Sequence, residues 1–126
     1  MKITRMFTGS DGQTHLEDID MPLSAHSVGS PLKFKEQGVT VQQTELVKVT
    51  GMQYRETIGL YNSAWHNAPR RQFVIHLEGV QEVEVSDGTK RLISPGDIWL
   101  CEDTTGKGHI SRDIKSPRNV IVLTVD

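Results

Sequence analysis

The sequence predicts an all-β fold with mostly antiparallel strands. Short segments rich in β-branched residues recur along the chain, and turn residues such as Gly, Pro and Asp separate them. Residues 82–86 alternate valine with polar side chains, which is the period of a half-buried strand. No longer window has a helical period. Many short strands without helices are typical of a β-sandwich or a β-barrel.

Length and charge limit the classes of protein and partner. The chain has 126 residues and a net charge of −2, with acidic and basic side chains interspersed. This length predicts one domain, and the mixed charges provide no basic stripe for nucleic acid or for an anionic membrane. No apolar run is long enough to span a membrane, no signal peptide is evident, and Cys101 is the only cysteine. We therefore expect a cytoplasmic protein that has neither nucleic acid nor a membrane as a partner.

Residues 1–38 are predicted to form N-terminal strands and a loop. Residues 2–7 read as an edge strand, a turn follows at 9–12, and residues 15–21 form a second short strand. Residues 22–31, which are rich in Ser and Gly and contain His26, are predicted to be a loop.

Residues 39–126 carry the remaining predicted strands. These cover residues 39–49, 52–58, 72–78, 82–86, 92–93, 98–101, 110–115 and 120–125. Turns or breaks are expected at Gly51, Gly79, Asp87-Gly88, Pro95-Gly96 and Ser116-Pro117. The nearly unbroken apolar run at the C-terminus predicts a strand that is buried on both faces.

Two motif regions, residues 65–79 and 95–109, resemble the motifs of the cupin superfamily. In the first, His66 takes the first histidine position, Gln72 the glutamate position and Gly79 the closing glycine, while Ala68 stands where a second histidine belongs. In the second, Pro95-Gly96-Asp97 resembles the turn of small cupins, and His109 matches the metal-binding histidine. The resemblance covers about the last two thirds of the chain.

This resemblance implies a cupin-type β-barrel, or double-sheet jelly roll, for a single domain of residues 1–126. It also implies a homodimer that covers the edge strands of the barrel. Alternation places Gln72, Val74 and His76 on one face of their strand and Phe73, Ile75 and Leu77 on the other. Hydrophobicity alone favours the second face as the inner one. The cupin register favours the first, and we adopt it.

The same resemblance implies that His66, Gln72 and His109 are ligands of a divalent metal, either Fe, Mn, Ni or Zn. His66 and His109 are also the candidate catalytic residues, because a neutral imidazole both binds metals and titrates near neutral pH. Gln72 offers only an uncharged oxygen, so this site is expected to bind metal more weakly than the full motif.

Four further residues are candidates for substrate binding. Trp65, Tyr54 and Trp99 are aromatic side chains that could line the cavity, and Arg71, next to Arg70, could pair with a carboxylate or phosphate. The alternatives are ordinary packing for the aromatic residues and a solvated surface position for the arginines.

Three residues could complete the site. His76 could add a nitrogen, although a hydrogen-bonded core histidine is the simpler interpretation. Glu102 or Asp103 could add charge, but adjacent strand residues point to opposite faces, and a solvated loop explains both more simply. Cys101 is expected to be a buried structural thiol.

Two functions compete on this pattern. The first is a metal-dependent isomerase, lyase or dioxygenase that uses His66 and His109. The second is a metal-free protein whose cavity binds a small ligand for sensing, or performs acid-base chemistry with a histidine alone. The substrate cannot be read from the sequence, because one fold hosts many activities.

Overall fold

A computed structural model describes residues 1–25 and 34–126, without the side chain of Lys35. His26 and the rest of residues 26–33, most of the predicted loop, lie outside the described residues. The strands are β1 (Lys2–Thr8), β2 (Thr14–Asp20), β3 (Ser24–Ala25), β4 (Gln42–Gln43), β5 (Val49–Thr57), β6 (Gln72–Val85), β7 (Lys90–Ile93), β8 (Ile98–Glu102) and β9 (His109–Val125). A single turn of 3-10 helix covers Lys35–Gln37.

The predicted all-β class with mostly antiparallel pairing is confirmed. Seven strands form one sheet in the order β2-β1-β8-β6-β9-β5, with β7 paired to β6, and β3 and β4 form a separate pair. Only β1 and β8 pair in parallel among the strands of the described residues. The large sheet does not close into a barrel within the described residues, where β2 and β5 each pair with one neighbour.

Strand β1 lies inside the sheet, so the prediction of an edge strand at residues 2–7 was wrong. It pairs with β2 on one side and with β8 on the other. The buried residues Ile3 and Met6 are three apart, because β1 does not keep a strict two-residue alternation. That irregular spacing hid the apolar face of the strand in the sequence.

Strands β6 and β9 are longer than predicted, because each continues through an expected break. β6 runs through Gly79, and β9 runs through Ser116-Pro117, whose peptide bond is cis. The register between the two strands shifts on both sides of Glu78. At this shift, β6 changes which of its faces points into the core. The inward residues have even numbers in the first half of the strand (Gln72, Val74, His76) and odd numbers in the second half (Gln81, Val83, Val85).

Between residues 39 and 49 the prediction of a continuous strand was also wrong. Only β4 and the first residue of β5 lie in this range, and Leu46 and Val47 are exposed. β-branched residues favour a strand where they can pack on a half-buried surface, and this segment has no such cover within the described residues. Gly51 does not end a strand; it is a register irregularity inside β5. Within the predicted loop, Ser24–Ala25 pair with β4.

Both halves of β6 contribute to one hydrophobic core. Val74 comes from the first half, and Val83 and Val85 from the second. Met6, Trp99 and Val122 pack into the same cluster. The described residues contain no helix with the length and apolar character that a membrane crossing needs. The homodimer stays a prediction; the exposed side chains of Val49, Met52 and Tyr54 on β5 lie at the open end of the sheet.

Candidate functional site

His66 and His109 are neighbours, although 42 residues separate them in the chain. Each backbone N–H donates to the carbonyl of the other residue, over 3.0 Å and 2.8 Å, which forms a short antiparallel bridge at the start of β9. The centroids of the two imidazole rings are 4.3 Å apart. The two histidines that the sequence selected therefore lie in one site.

Gly108 makes this close approach possible. Its φ is +77°, and a Cβ at this position would collide with the carbonyl group of His66. We expect Gly108→Ala to separate the two histidine segments and to lower the free energy of unfolding by about 3 kcal/mol, from backbone strain and overpacking together. Urea denaturation measures this loss.

Gly96→Ala is the control for that substitution, because Gly96 has a φ of +91° and open space where a Cβ would stand. It should cost only the strain of the backbone, about 1–2 kcal/mol. Equal losses in the two variants would mean that the contact with His66 does not constrain the site.

Asp103 orients the ring of His109. Its Oδ2 accepts a hydrogen bond from Nδ1 of His109 at 2.6 Å, and the exposed fractions of the two residues are 0% and 4%. Trp99 and Cys101 point inward from β8, and Asp103, the first residue after the strand, continues this alternation and is also buried. The expectation of a solvated loop was therefore wrong for Asp103.

The two histidines line a cavity of about 150 Å³. Gln72 and Trp99, the candidate metal ligand and one of the candidate substrate-binding residues, line it too. The wall is completed by Arg55, Tyr61, Ala68, Pro69, Val74, Gln81, Cys101, Ser111, Arg118 and Val120. The inward face of β6 is therefore the one that carries Gln72, not the one that carries Phe73.

Three candidate substrate-binding residues, all of them described, do not line this cavity. Tyr54 is 72% exposed on β5, and Trp65 is half-exposed. Arg71 is occupied elsewhere, because its Nε donates to Glu102 and its Nη1 donates to the backbone oxygen of Asp126. Arg70 lines a neighbouring groove that shares Arg55 and Gln72 with the cavity.

Glu102 faces away from the cavity and pairs with arginines. It accepts hydrogen bonds from Arg5 on β1 and from Arg71 before β6. Burial acts to raise its pKa, but these two hydrogen bonds lower the pKa below its ordinary value. Glu102 therefore joins three segments of the sheet, and the expectation of a solvated loop was wrong here as well.

His76 is a core residue that does not line the cavity with the other two histidines. It is 1% exposed, and neither ring nitrogen has a hydrogen-bond partner among the described residues. The expected hydrogen bond of a core histidine is thus missing. Burial, with a smaller effect of Arg118, lowers the pKa of His76 to about 4, so the ring is neutral at pH 7.

Cys101 is the buried thiol that the sequence predicted. Burial, followed by the nearby carboxylates of Asp103 and Glu102, raises its pKa well above the ordinary value. A thiol that stays protonated is a poor nucleophile, so Cys101 contributes only shape to the cavity wall.

Sequence reasoning missed Arg55 and Arg118, the two arginines of the cavity. Arg118 follows the irregular stretch of β9, at which the strand changes the face that points inward. The two-residue alternation that starts at His109 therefore does not predict on which face the Arg118 side chain lies. Arg55 lies on β5, whose residues are nearly all exposed, so no pattern of burial marked an inner face. In register, Arg55 is opposite the buried Val120 of β9.

The donor set does not fit a resident divalent metal. His66 and His109 offer two imidazoles, and Gln72 offers an uncharged amide. In the described part of the chain, no three His, Cys, Asp or Glu side chains are placed to hold a metal together. The carboxylate of Asp103 is hydrogen-bonded to the outer nitrogen of His109, so it orients a ring instead of adding a ligand.

Comparison with known proteins assigns no family. No protein-family profile matches the chain, and no curated protein matches its sequence. Protein NMB1881 from Neisseria meningitidis is similar in structure, with a TM-score of 0.48 and 16% identity over 75% of this chain and 99% of that chain. A structure named for ethanolamine utilization protein Q of Salmonella typhimurium LT2 has a TM-score of 0.43 and 11% identity over 98% of this chain and 95% of that chain. At this level of similarity, neither structure assigns a function to the chain.

Proposed function

We propose that this chain is a small cupin whose cavity binds a small molecule, and that His109 transfers protons to and from that molecule without a metal. The reaction class would be that of an isomerase or lyase, in which a proton leaves a carbon next to a carbonyl group. The observation that carries the proposal is the buried hydrogen bond between Asp103 and His109, at 2.6 Å, beside the cavity.

The chemistry of His109 depends on which of its ring nitrogens is hydrogen-bonded to Asp103. A carboxylate can only accept a hydrogen bond, so Nδ1 of His109 carries a proton and Nε2 of the neutral ring holds a lone pair. Nε2 has no hydrogen-bond partner in the described part of the chain. When Nε2 takes up a proton, the negative charge of Asp103 stabilises the resulting imidazolium. His109 is therefore suited to act as a general base.

His66 offers a second position for proton transfer. Its Nδ1 lies 2.9 Å from the carbonyl oxygen of Ala64, which can only accept, so Nε2 is again the nitrogen with the lone pair. Two imidazoles with ring centroids 4.3 Å apart suit a reaction that removes a proton at one atom and returns it at another. This pairing favours an isomerase over simple ligand sensing.

Hydrogen–deuterium exchange tests the proposal without knowledge of the natural substrate. The protein is incubated in D₂O with a panel of small ketones, aldehydes and oxo acids, and proton NMR follows the loss of C–H signals next to the carbonyl. We expect the wild-type protein to accelerate exchange for a subset of the panel. His109→Asn should reduce that rate about 10²- to 10⁴-fold, the usual contribution of a general base.

His15→Asn is the matched control, because His15 lies on the surface between Asp11 and Asp87 and does not touch the cavity. It should leave the exchange rate unchanged. Exchange that is no faster than in buffer, or that is equally fast in His109→Asn, would exclude acid-base catalysis by His109.

The metal-dependent alternative has its own measurement. Elemental analysis of untagged protein, purified without chelator, should find no stoichiometric Fe, Mn, Ni or Zn. One equivalent of bound metal in the wild type, lost in both His66→Ala and His109→Ala, would show that the two histidines are metal ligands and would contradict the metal-free proposal.

A further inference from the structure

We propose that the ligand of the cavity is a small carboxylate, and that Arg118 and Arg55 bind its charged end. This inference rests on the cavity of the proposed function and adds the chemical class of the molecule that enters it.

Arg118 lines the cavity, and only one of its five N–H donors is hydrogen-bonded within the described residues. Its side chain is 11% exposed, and Nε donates to Oδ1 of Asp113 at 2.5 Å. Asp113 is buried and also accepts from the backbone N–H of Tyr61. The Nη groups of Arg118 have no hydrogen bond within the described residues. Asp113 thus fixes the guanidinium on one side, and two N–H donors remain on the other side for a planar acceptor such as a carboxylate.

Arg55 adds a positive charge that no acidic residue balances in the described part of the chain. Its Nη2 donates to the uncharged Oε1 of Gln53. Because Arg55 is opposite Val120 in the β5–β9 register, its side chain shares the face of β5 that borders the cavity. The two arginines reach the cavity from adjacent strands.

The rest of the wall offers donors and lacks free anions. No aspartate or glutamate is among the described residues that line the cavity. Nε1 of Trp99 is a buried donor without a partner among the described residues, and Oε1 of Gln81 is a buried acceptor without one. The amide of Gln72 also makes no hydrogen bond to the described residues and offers an N–H donor at the same wall. An unpaired buried donor is rare in folded proteins, and an oxygen of a carboxylate would pair with Nε1 of Trp99.

The volume of the cavity suits a short acid. A cavity of about 150 Å³ accommodates a molecule about the size of benzene. A carboxylate held at the arginines, with one carbonyl-bearing carbon beyond it, fills such a space. The C–H bonds of the carbon next to that carbonyl are then the candidates to exchange protons with the histidines.

The test is binding at low ionic strength, measured by isothermal titration calorimetry with acetate, pyruvate and malonate, and with acetamide and inorganic phosphate for comparison. We expect saturable binding of at least one carboxylate and none of acetamide. Arg55→Gln, at an exposed position, should weaken that binding about ten- to a hundredfold, the contribution of a hydrogen bond to a charged group. Arg118→Lys keeps a positive charge beside Asp113 and should weaken it by a similar factor.

Lys115→Gln is the matched control, since it removes one positive charge from an exposed position on the same strand as Arg118. Its binding should equal that of the wild type. Phosphate that binds as tightly as the carboxylates, or equal losses in Lys115→Gln and Arg55→Gln, would overturn the inference. So would the absence of any carboxylate binding.

The two proposals fail in different ways. Carboxylate binding that needs Arg55 and persists in His109→Asn supports this inference even where no deuterium exchange is observed. Exchange confined to neutral ketones, with no effect of Arg55→Gln, keeps the acid-base proposal and rejects the carboxylate.

Discussion

Gly79→Ala is expected to lower the free energy of unfolding by about 3–5 kcal/mol, because it adds backbone strain to a collision inside the sheet. Gly79 has a φ of +84°, and a Cβ placed there lies 2.5 Å from the carbonyl oxygen of Pro117 and 2.8 Å from Cα of Arg118. Both are backbone atoms of β9, so the contact cannot be relieved by rotating a side chain. Urea denaturation at neutral pH measures the change.

The control for that prediction is Gly88→Ala. Gly88 has a φ of +95° at the predicted hairpin turn, and no atom of the described residues would lie within 4 Å of a Cβ at this position. Its substitution should cost about 1–2 kcal/mol, from strain alone. If the two variants lose the same stability, the approach of β6 to β9 at this point is not tight.

Acidification is expected to destabilise the protein through His76. Its pKa is about 4 in the folded chain and about 6.5 in the unfolded chain. Between these values the unfolded state binds a proton that the folded state does not bind. The contribution of a neutral His76 is therefore fully present above about pH 6.5 and is lost as the pH falls towards 4, by about 3 kcal/mol in total.

His76→Leu tests this assignment. The substitution removes the titrating ring and two nitrogens that have no hydrogen-bond partner among the described residues, so we expect stability at pH 7 equal to or above that of the wild type. The difference in free energy of unfolding between pH 7 and pH 4.5 should be smaller in the variant by about 2 kcal/mol or more. The same slope in both proteins would show that His76 is hydrogen-bonded or solvated.

His15 provides a contrast of opposite sign. Hydrogen bonds to Asp11, and then to Asp87, raise its pKa. Its contribution to stability is therefore fully present below the unfolded pKa and is lost as the pH rises through the folded pKa. His15→Gln should change the pH dependence above about pH 6.5, and His76→Leu should change it below that value.

The sequence predicted the fold class and most strand positions, because these depend on local patterns. The inward face of early β6 was predicted only by the motif register, since local hydrophobicity favoured the opposite face. Gln72, Val74 and His76 alternate without interruption, and the whole row is buried as the adopted register required. The pairing of His66 with His109 was expected only through the motif resemblance. The backbone bridge between them gives that expectation a physical basis.

The missed features depend on the path of the folded backbone, which local sequence patterns do not give. Asp103 is followed by Thr104-Thr105-Gly106-Lys107-Gly108, a stretch that reads as a solvated turn, and only the folded chain shows that it returns His109 to the Asp103 carboxylate. Arg118 lies beyond the irregular stretch of β9, and the register shift there cannot be found by counting residues in the sequence. Local composition identified the candidate imidazoles, but it could not identify the charged partners that determine their chemistry.

In the middle of β6 and of β9, the face that points into the core changes, and this limits where related sequences can gain or lose a residue. The inward row passes from even to odd numbers in β6 and from odd to even numbers in β9, at the same level of the sheet. A one-residue deletion in the first half of β6 alone would turn the row of Gln72 and Val74 outward, or pull Gly79 away from Pro117. A matching deletion in the second half of β9 would restore the pairing. Gaps in homologous sequences should therefore occur together in these two strands, and a gap in only one of them should mark a different cavity.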